Sequence, residues 1–174
     1  MHQFETTSTY SRNDSNIPKR HAHYLQNMKT MRITAVMCVV MGVAFGAAAL
    51  RHSVVAGVIC FAAFGFVAAI CIPVGSWSSR RVAANFYEDG DDLWTNTTWF
   101  ENDGIHRIDD EADEDVFPLN KLVCAYRAGD VLLLCSATQS VIPVNLAQLS
   151  ETDRKSVFQM LKTGCPKLKM IQQS

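Results

Sequence analysis

Charge is almost absent from residues 33–79, where Arg51 is the one charged side chain. Proton relays and ion paths use ionisable groups inside the membrane, so this stretch argues against a pump or transporter. Basic residues are also scarce after position 81. Residues 82–174 hold 8 Lys or Arg against 15 Asp or Glu, a net of −7. A domain of that sign repels nucleic acid and anionic headgroups, which argues against both as its partners. The six cysteines contain no C-x-x-C pair, so a zinc framework has no support. They read as reduced, small apolar packing residues. No catalytic motif stands out, and no residue is assigned a catalytic, cofactor-binding or metal-binding role.

What the charge-poor stretch does contain is two apolar runs, residues 33–50 (18 residues) and 54–74 (21 residues). A helix of ~20 residues crosses a bilayer. The two runs therefore predict a transmembrane helical hairpin spanning residues 33–79. Bases flank it on the outer sides: Lys19, Arg20, Lys29 and Arg32 before, Arg80 and Arg81 after. Lys and Arg mark cytoplasmic flanks, so both termini are expected inside and the turn at Arg51 outside. A signal peptide ending near Ala47-Ala48-Ala49 is the competing reading, but a second apolar run follows at once. Gly42 and Gly46 form a G-x-x-x-G step that lets helix backbones approach closely. Its partner is either the second run, through Ala56, Gly57, Ala62 or Gly65, or a second copy of the chain in a homodimer.

The rest of the chain divides around this hairpin. Residues 1–32 carry 5 basic and 2 acidic side chains. They read as a polar, basic cytoplasmic segment, a flexible lead-in with a short strand near Phe4, then a helix over 20–31. Residues 80–92 read as a helical extension ended by the acidic linker Glu88-Asp89-Gly90-Asp91-Asp92. From residue 93 the pattern changes to strands, rich in Thr and aromatics at Leu93-Trp94-Thr95-Asn96-Thr97-Thr98-Trp99-Phe100. Turns are expected at Asn102-Asp103-Gly104, Arg127-Ala128-Gly129-Asp130 and Thr138-Gln139, and Pro118 confines its strand to an edge or a bend. Ser150 with Asp153 predicts a helix cap, Val157, Phe158 and Leu161 an apolar stripe, and Gly164-Cys165-Pro166 a stop. The expected fold is an α+β membrane protein: the hairpin, then a small antiparallel β-sheet over 93–174 closed by a C-terminal α-helix.

Several groups invite a chemical reading. His21 and His23 alternate and so point to different faces of a helix, with no third ligand near. The acidic run Asp109-Asp110-Glu111-Ala112-Asp113-Glu114-Asp115 has Glu114 sixth and Asn120 twelfth, where a calcium loop needs Gly and Glu. It reads as a solvated hairpin loop. His106 stands next to carboxylates, and Cys124 or Cys135 is a nucleophile only with a base beside it. The sequons at Asn13 and Asn96 face the cytoplasm in this topology and read as chance matches.

The order of basic head, two-span hairpin, strand meander and closing helix resembles the YcxB-like family of bacterial membrane proteins. Trp99-Phe100-Glu101-Asn102-Asp103-Gly104-Ile105 is similar to that family's Phe-acidic-acidic-Gly-Ile hairpin. Phe117-Pro118-Leu119-Asn120-Lys121-Leu122 stands where the family has an aromatic-polar-x-Ile step, and Ile142-Pro143 resembles its Ile-Pro strand. Val144 replaces the Lys often found after that Ile-Pro, and the Trp-Ser of the middle step is missing. The resemblance implies a cytoplasmic domain like a pleckstrin-homology barrel, tethered to the bacterial plasma membrane. It carries over no catalytic residue.

The expected function is a non-enzymatic, membrane-anchored interaction or sensing module. It is integral to the lipid bilayer, binds a protein partner, and uses neither nucleic acid nor a cofactor. One alternative is an accessory subunit that stabilises a larger membrane complex through its hairpin. The other is a membrane enzyme built on His106 and the strand thiols.

Overall fold

The computed structural model describes residues 3–87, 90–101, 103–109 and 114–171. The short strand expected near Phe4 is present and longer than expected, taking up much of the lead-in: β1 covers Gln3–Ser11. It pairs antiparallel with β2, Leu93–Phe100, with Ser11 opposite Leu93 and Tyr10 opposite Trp94. Two helices, α1 (Arg12–Leu50) and α2 (Val54–Phe86), lie between these paired strands in sequence. The apolar helices are thus an insertion into a β-connection. Residues up to Ala22 and from Tyr87 onward form one compact unit, and His23–Phe86 form another.

The sheet unit has two sheets, not the single one expected. The first runs β1-β2-β3-β4, with β3 at Ile105–Ile108 and β4 at Glu114–Phe117. The second runs β7-β6-β5-β8, with β5 at Leu122–Ala128, β6 at Val131–Ser136, β7 at Val141–Asn145 and β8 at Lys169–Ile171. α3 (Glu151–Gly164) leads to β8, which pairs parallel to β5. The core joins Phe100 and Ile105 from the first sheet to Leu122, Ala125, Leu132, Leu134, Ile142 and Val144 from the second. Val157 and Leu161 of α3 close it. Phe158, expected in the apolar stripe, is instead 41% exposed. Residues four apart share a helix face, and Phe158 is turned away from the face of Val157 and Leu161.

The turn chemistry follows the sequence closely. Gly129 takes a φ of +59°, the left-handed region that glycine enters without steric cost. The β2–β3 turn closes through Glu101 N–H to Gly104 C=O at 2.9 Å. A Cβ on Gly104 would meet the Phe117 carbonyl oxygen at 2.5 Å, so only glycine fits. Asn102 of that turn lies outside the described residues, as do Glu88 and Asp89 of the acidic linker and residues 110–113 of the acidic run. Of the rest of that run, Glu114 and Asp115 belong to β4 and are not loop. Pro118 follows β4, which is an edge strand. Ser150 caps α3, accepting from Asp153 N–H at 3.1 Å.

A second cap of the same kind starts α1. Ser11 Oγ accepts from Asp14 N–H at 3.1 Å and donates to Asp14 Oδ2 at 2.7 Å. The helix therefore begins at Arg12, not at residue 20. Both α1 and α2 are long and apolar enough to cross a membrane. Their glycines pack within the pair: a Cβ on Gly42 would lie 2.8 Å from Phe64 Cβ, and one on Gly46 2.7 Å from the Phe61 ring. The G-x-x-x-G step is therefore occupied by α2 of the same chain. The outward side chains stay exposed, Val36 at 62%, Val54 at 69% and Phe66 at 67%.

Candidate functional site

The sheet unit carries a cleft of about 480 Å³, within the range of small-ligand sites. Its walls come from five places in the chain. β1 supplies Tyr10, α1 Lys19, and β2 the consecutive Trp94, Thr95 and Asn96. β3 and the residue after it supply Arg107 and Asp109, and the β6–β7 turn supplies Gln139 and Ser140. Pairing of β1 with β2 sets the two rings edge to face, Tyr10 against Trp94 at 5.9 Å and 77°.

Each polar group in the cleft has a definite setting. The Tyr10 hydroxyl donates to Asn96 Oδ1 at 2.9 Å. Burial pushes its pKa up to about 12, with Arg107 opposing and Asp109 reinforcing the rise. The phenol is therefore a neutral donor at ordinary pH. Asn96, its acceptor, is buried. Lys19 holds its ammonium 4.9 Å from the Trp94 ring centre, a cation–π contact. Its pKa is lowered by burial, and the positive charges of Arg12 and Arg107 act in the same direction. Among the described residues no carboxylate forms an ion pair with it. Arg107 donates from Nη1 to the Val141 carbonyl at 2.7 Å and pairs through Nη2 with Asp115. Its buried Nε has no acceptor among the described residues. Gln139 sits at a φ of +66°, a strained conformation for a side chain of its kind, and accepts from the Tyr87 hydroxyl.

A second constellation surrounds His106 on β3. Its ring stacks on Trp99 at 5.4 Å. Nδ1 meets Glu114 Oε1 at 2.6 Å and Nε2 meets Asp103 Oδ1 at 2.9 Å. When both bonds are made, both nitrogens carry protons and the ring is a cation. Burial opposes that charge, but the hydrogen bonds to Asp103 and Glu114 outweigh it and raise the pKa. Glu101, Asp103 and His106 bring one ligand atom each within 4.8 Å of one another, the one group among the described residues with metal-like spacing. The ring nitrogens are already held by carboxylates, so a metal would have to displace a proton and a hydrogen bond. The cluster is explained as it stands by a histidinium between carboxylates.

The strand thiols are bonded to backbone carbonyls, not to a base, in the hydrogen bonds of the described residues. Cys124 and Cys135 are cross-strand neighbours, both fully buried. Cys124 Sγ donates to the Pro18 carbonyl at 3.4 Å and Cys135 Sγ to the Ser136 carbonyl at 3.6 Å. The Cys124 pKa is raised by its hydrogen bond with Cys135 and by burial, opposite to what a nucleophile needs. All six cysteines are free.

By position alone Lys19 belongs with the flanking bases and Tyr10 with the lead-in, while Arg107 is the only Lys or Arg in 82–120. A lone base in so acidic a stretch is a readable signal. The Ser11–Asp14 spacing, which ends β1 and starts α1 beside Tyr10, is another. Comparison with protein families, curated proteins and solved structures found no match. The resemblance to the YcxB-like family rests on the short motifs given above.

Proposed function

We propose that this chain is a non-enzymatic, membrane-anchored binding module, held in a bilayer by α1 and α2 and recognising its ligand or protein partner through the sheet unit. The observation that carries this reading is that one unit has helices with exposed apolar surface and the other has its own core and cleft. A soluble monomer rarely shows contiguous apolar patches beyond a few hundred Å². Lipid removes that cost by covering the surface. Bases on the outer flanks of the two runs favour both termini on the cytoplasmic side of a plasma membrane. A four-stranded sheet facing a second sheet, with a closing helix, is also in keeping with the pleckstrin-homology-like domain that the family resemblance implies.

The two alternatives have less support. Gly42 and Gly46 pack inside the hairpin, which leaves the accessory-subunit and homodimer readings without their glycine face. The Cys124 thiol and the Tyr10 phenol are both shifted toward their neutral forms, which gives the enzyme reading little support from these candidates. Alkaline carbonate extraction of membranes from cells expressing the full chain tests the anchor. The protein should stay in the pellet, and its release into the supernatant would overturn the reading.

A further inference from the structure

The helical unit has positive charge and nothing of its own to balance it. Residues 23–86 hold five Lys or Arg and no Asp or Glu, and the net of −7 belongs to residues 82–174. Four of the five cations, Lys29, Arg32, Arg80 and Arg81, gather at the end of the hairpin away from its turn, where Arg51 is alone. Helix packing puts them at one level. A Cβ on Gly75 would strike the Met31 side chain, and Arg80 Cζ lies 5.6 Å from the Tyr24 ring centre. Met31 stands two residues before the first apolar run and Gly75 one residue after the second. Both helices therefore leave their apolar runs at the same height. Lys29 and Arg32 flank Met31, and Arg80 and Arg81 lie about 8 to 9 Å past Gly75 along the helix. The headgroup layer of one leaflet is about 5–8 Å deep.

All four side chains are exposed, and none forms an ion pair among the described residues. Trp77 stands among them, 63% exposed, with Arg81 Cζ 5.3 Å from its ring centre. A guanidinium stacked on an indole keeps N–H donors at its edge for phosphate oxygens. Tryptophan also favours the boundary between lipid and water. We propose that this collar binds anionic phospholipid, its headgroup phosphate met by Lys29, Arg32, Arg80 and Arg81. The acyl chains lie on the apolar surface that continues from the collar at Ile33 and Val74, both exposed. The proposal rests on the reading that α1 and α2 lie in a bilayer. A zwitterionic headgroup brings no net charge, so net negative charge is what four cations select. Bound lipid supplies the counter-charge that residues 23–86 do not contain.

Electron spin resonance of the full chain reconstituted in phosphatidylcholine vesicles reads this selection. The probes are spin-labelled phosphatidylglycerol and spin-labelled phosphatidylcholine, and the motionally restricted fraction of each gives their relative association. Phosphatidylglycerol should be favoured about two- to fivefold, since one cation at full effect is worth about fivefold and the average runs over the whole lipid shell. The preference should vanish in K29Q/R32Q/R80Q/R81Q and in about 1 M salt, where the screening length is about 3 Å. It should survive in R80K/R81K, which keeps the charge, and in R51Q, the matched loss at the other end. Unchanged far-UV circular dichroism shows that the variants keep their helices. Equal association of the two lipids with the wild type overturns the proposal and leaves the anchor standing. A preference kept by the quadruple variant, or lost in R51Q, overturns the collar as its source. Absence of any restricted lipid overturns anchor and proposal together.

Discussion

His106 lies beneath the Trp99 ring with a carboxylate at each nitrogen, and its proton is worth most when both bonds are made. Its folded pKa is raised above the ordinary 6.5. The sign follows from linkage. The stabilisation is fully present below the unfolded value and is lost as pH rises through the higher folded one. Urea denaturation followed by Trp fluorescence should therefore show stability falling as pH climbs from below 6.5 through the neutral range. In H106Q that part of the decline should flatten. A slope unchanged by the substitution would show that His106 is not the titrating group. At the cleft, Lys19 and Tyr10 are shifted toward their neutral forms by burial, whereas at His106 burial is outweighed by the carboxylate hydrogen bonds and charges acting together.

The elements are set by short-range chemistry that is mostly legible. Ser150 and Asp153 announce α3, and Gly129 and Gly104 announce turns, because a cap needs an oxygen and a tight turn needs a missing Cβ. The same cap at Ser11 and Asp14 was as plain in the sequence, but the polar residues around it read as flexible. Nothing local shows that β1 has a partner, since Leu93 and Trp94 stand more than eighty residues away. S11A removes the acceptor for Asp14 N–H and should cost about 1 kcal/mol. Denaturant midpoints of the wild type and S11A would measure it, and S150A serves as the matched control at α3. Loss at Ser150 alone would mean that the start of α1 draws no stability from its cap.

At the scale of the molecule, the apolar helices interrupt a sheet domain instead of preceding it. Strand β1 before them and β2 after them pair directly, so the sheet unit is complete without residues 23–86. Arg20 Nη2 donates to the Tyr87 carbonyl at 2.5 Å, which brings the two ends of the insertion together. Replacing His23–Phe86 by a short Gly-Ser linker should thus yield a protein that is monomeric and soluble without detergent. It should keep the Tyr10–Trp94 contact. Size-exclusion chromatography and near-UV circular dichroism would check this. Aggregation of that chain would show that the sheet unit depends on the helices for more than attachment.

The hairpin, the caps, most turns and the strand-rich C-terminal half follow from the sequence alone. Hydropathy, capping oxygens and glycine positions act within a few residues and need no partner to be read. The splitting of the strands into two sheets, the recruitment of Gln3–Ser11, the parallel β8 and the inward packing of Gly42 and Gly46 were decided by tertiary structure. So was the cleft. Tyr10, Lys19, Trp94, Arg107 and Gln139 span 130 positions and carry no common motif. They become a site only because long-range strand pairing, whose register depends on the two core faces meeting, places them around one cavity.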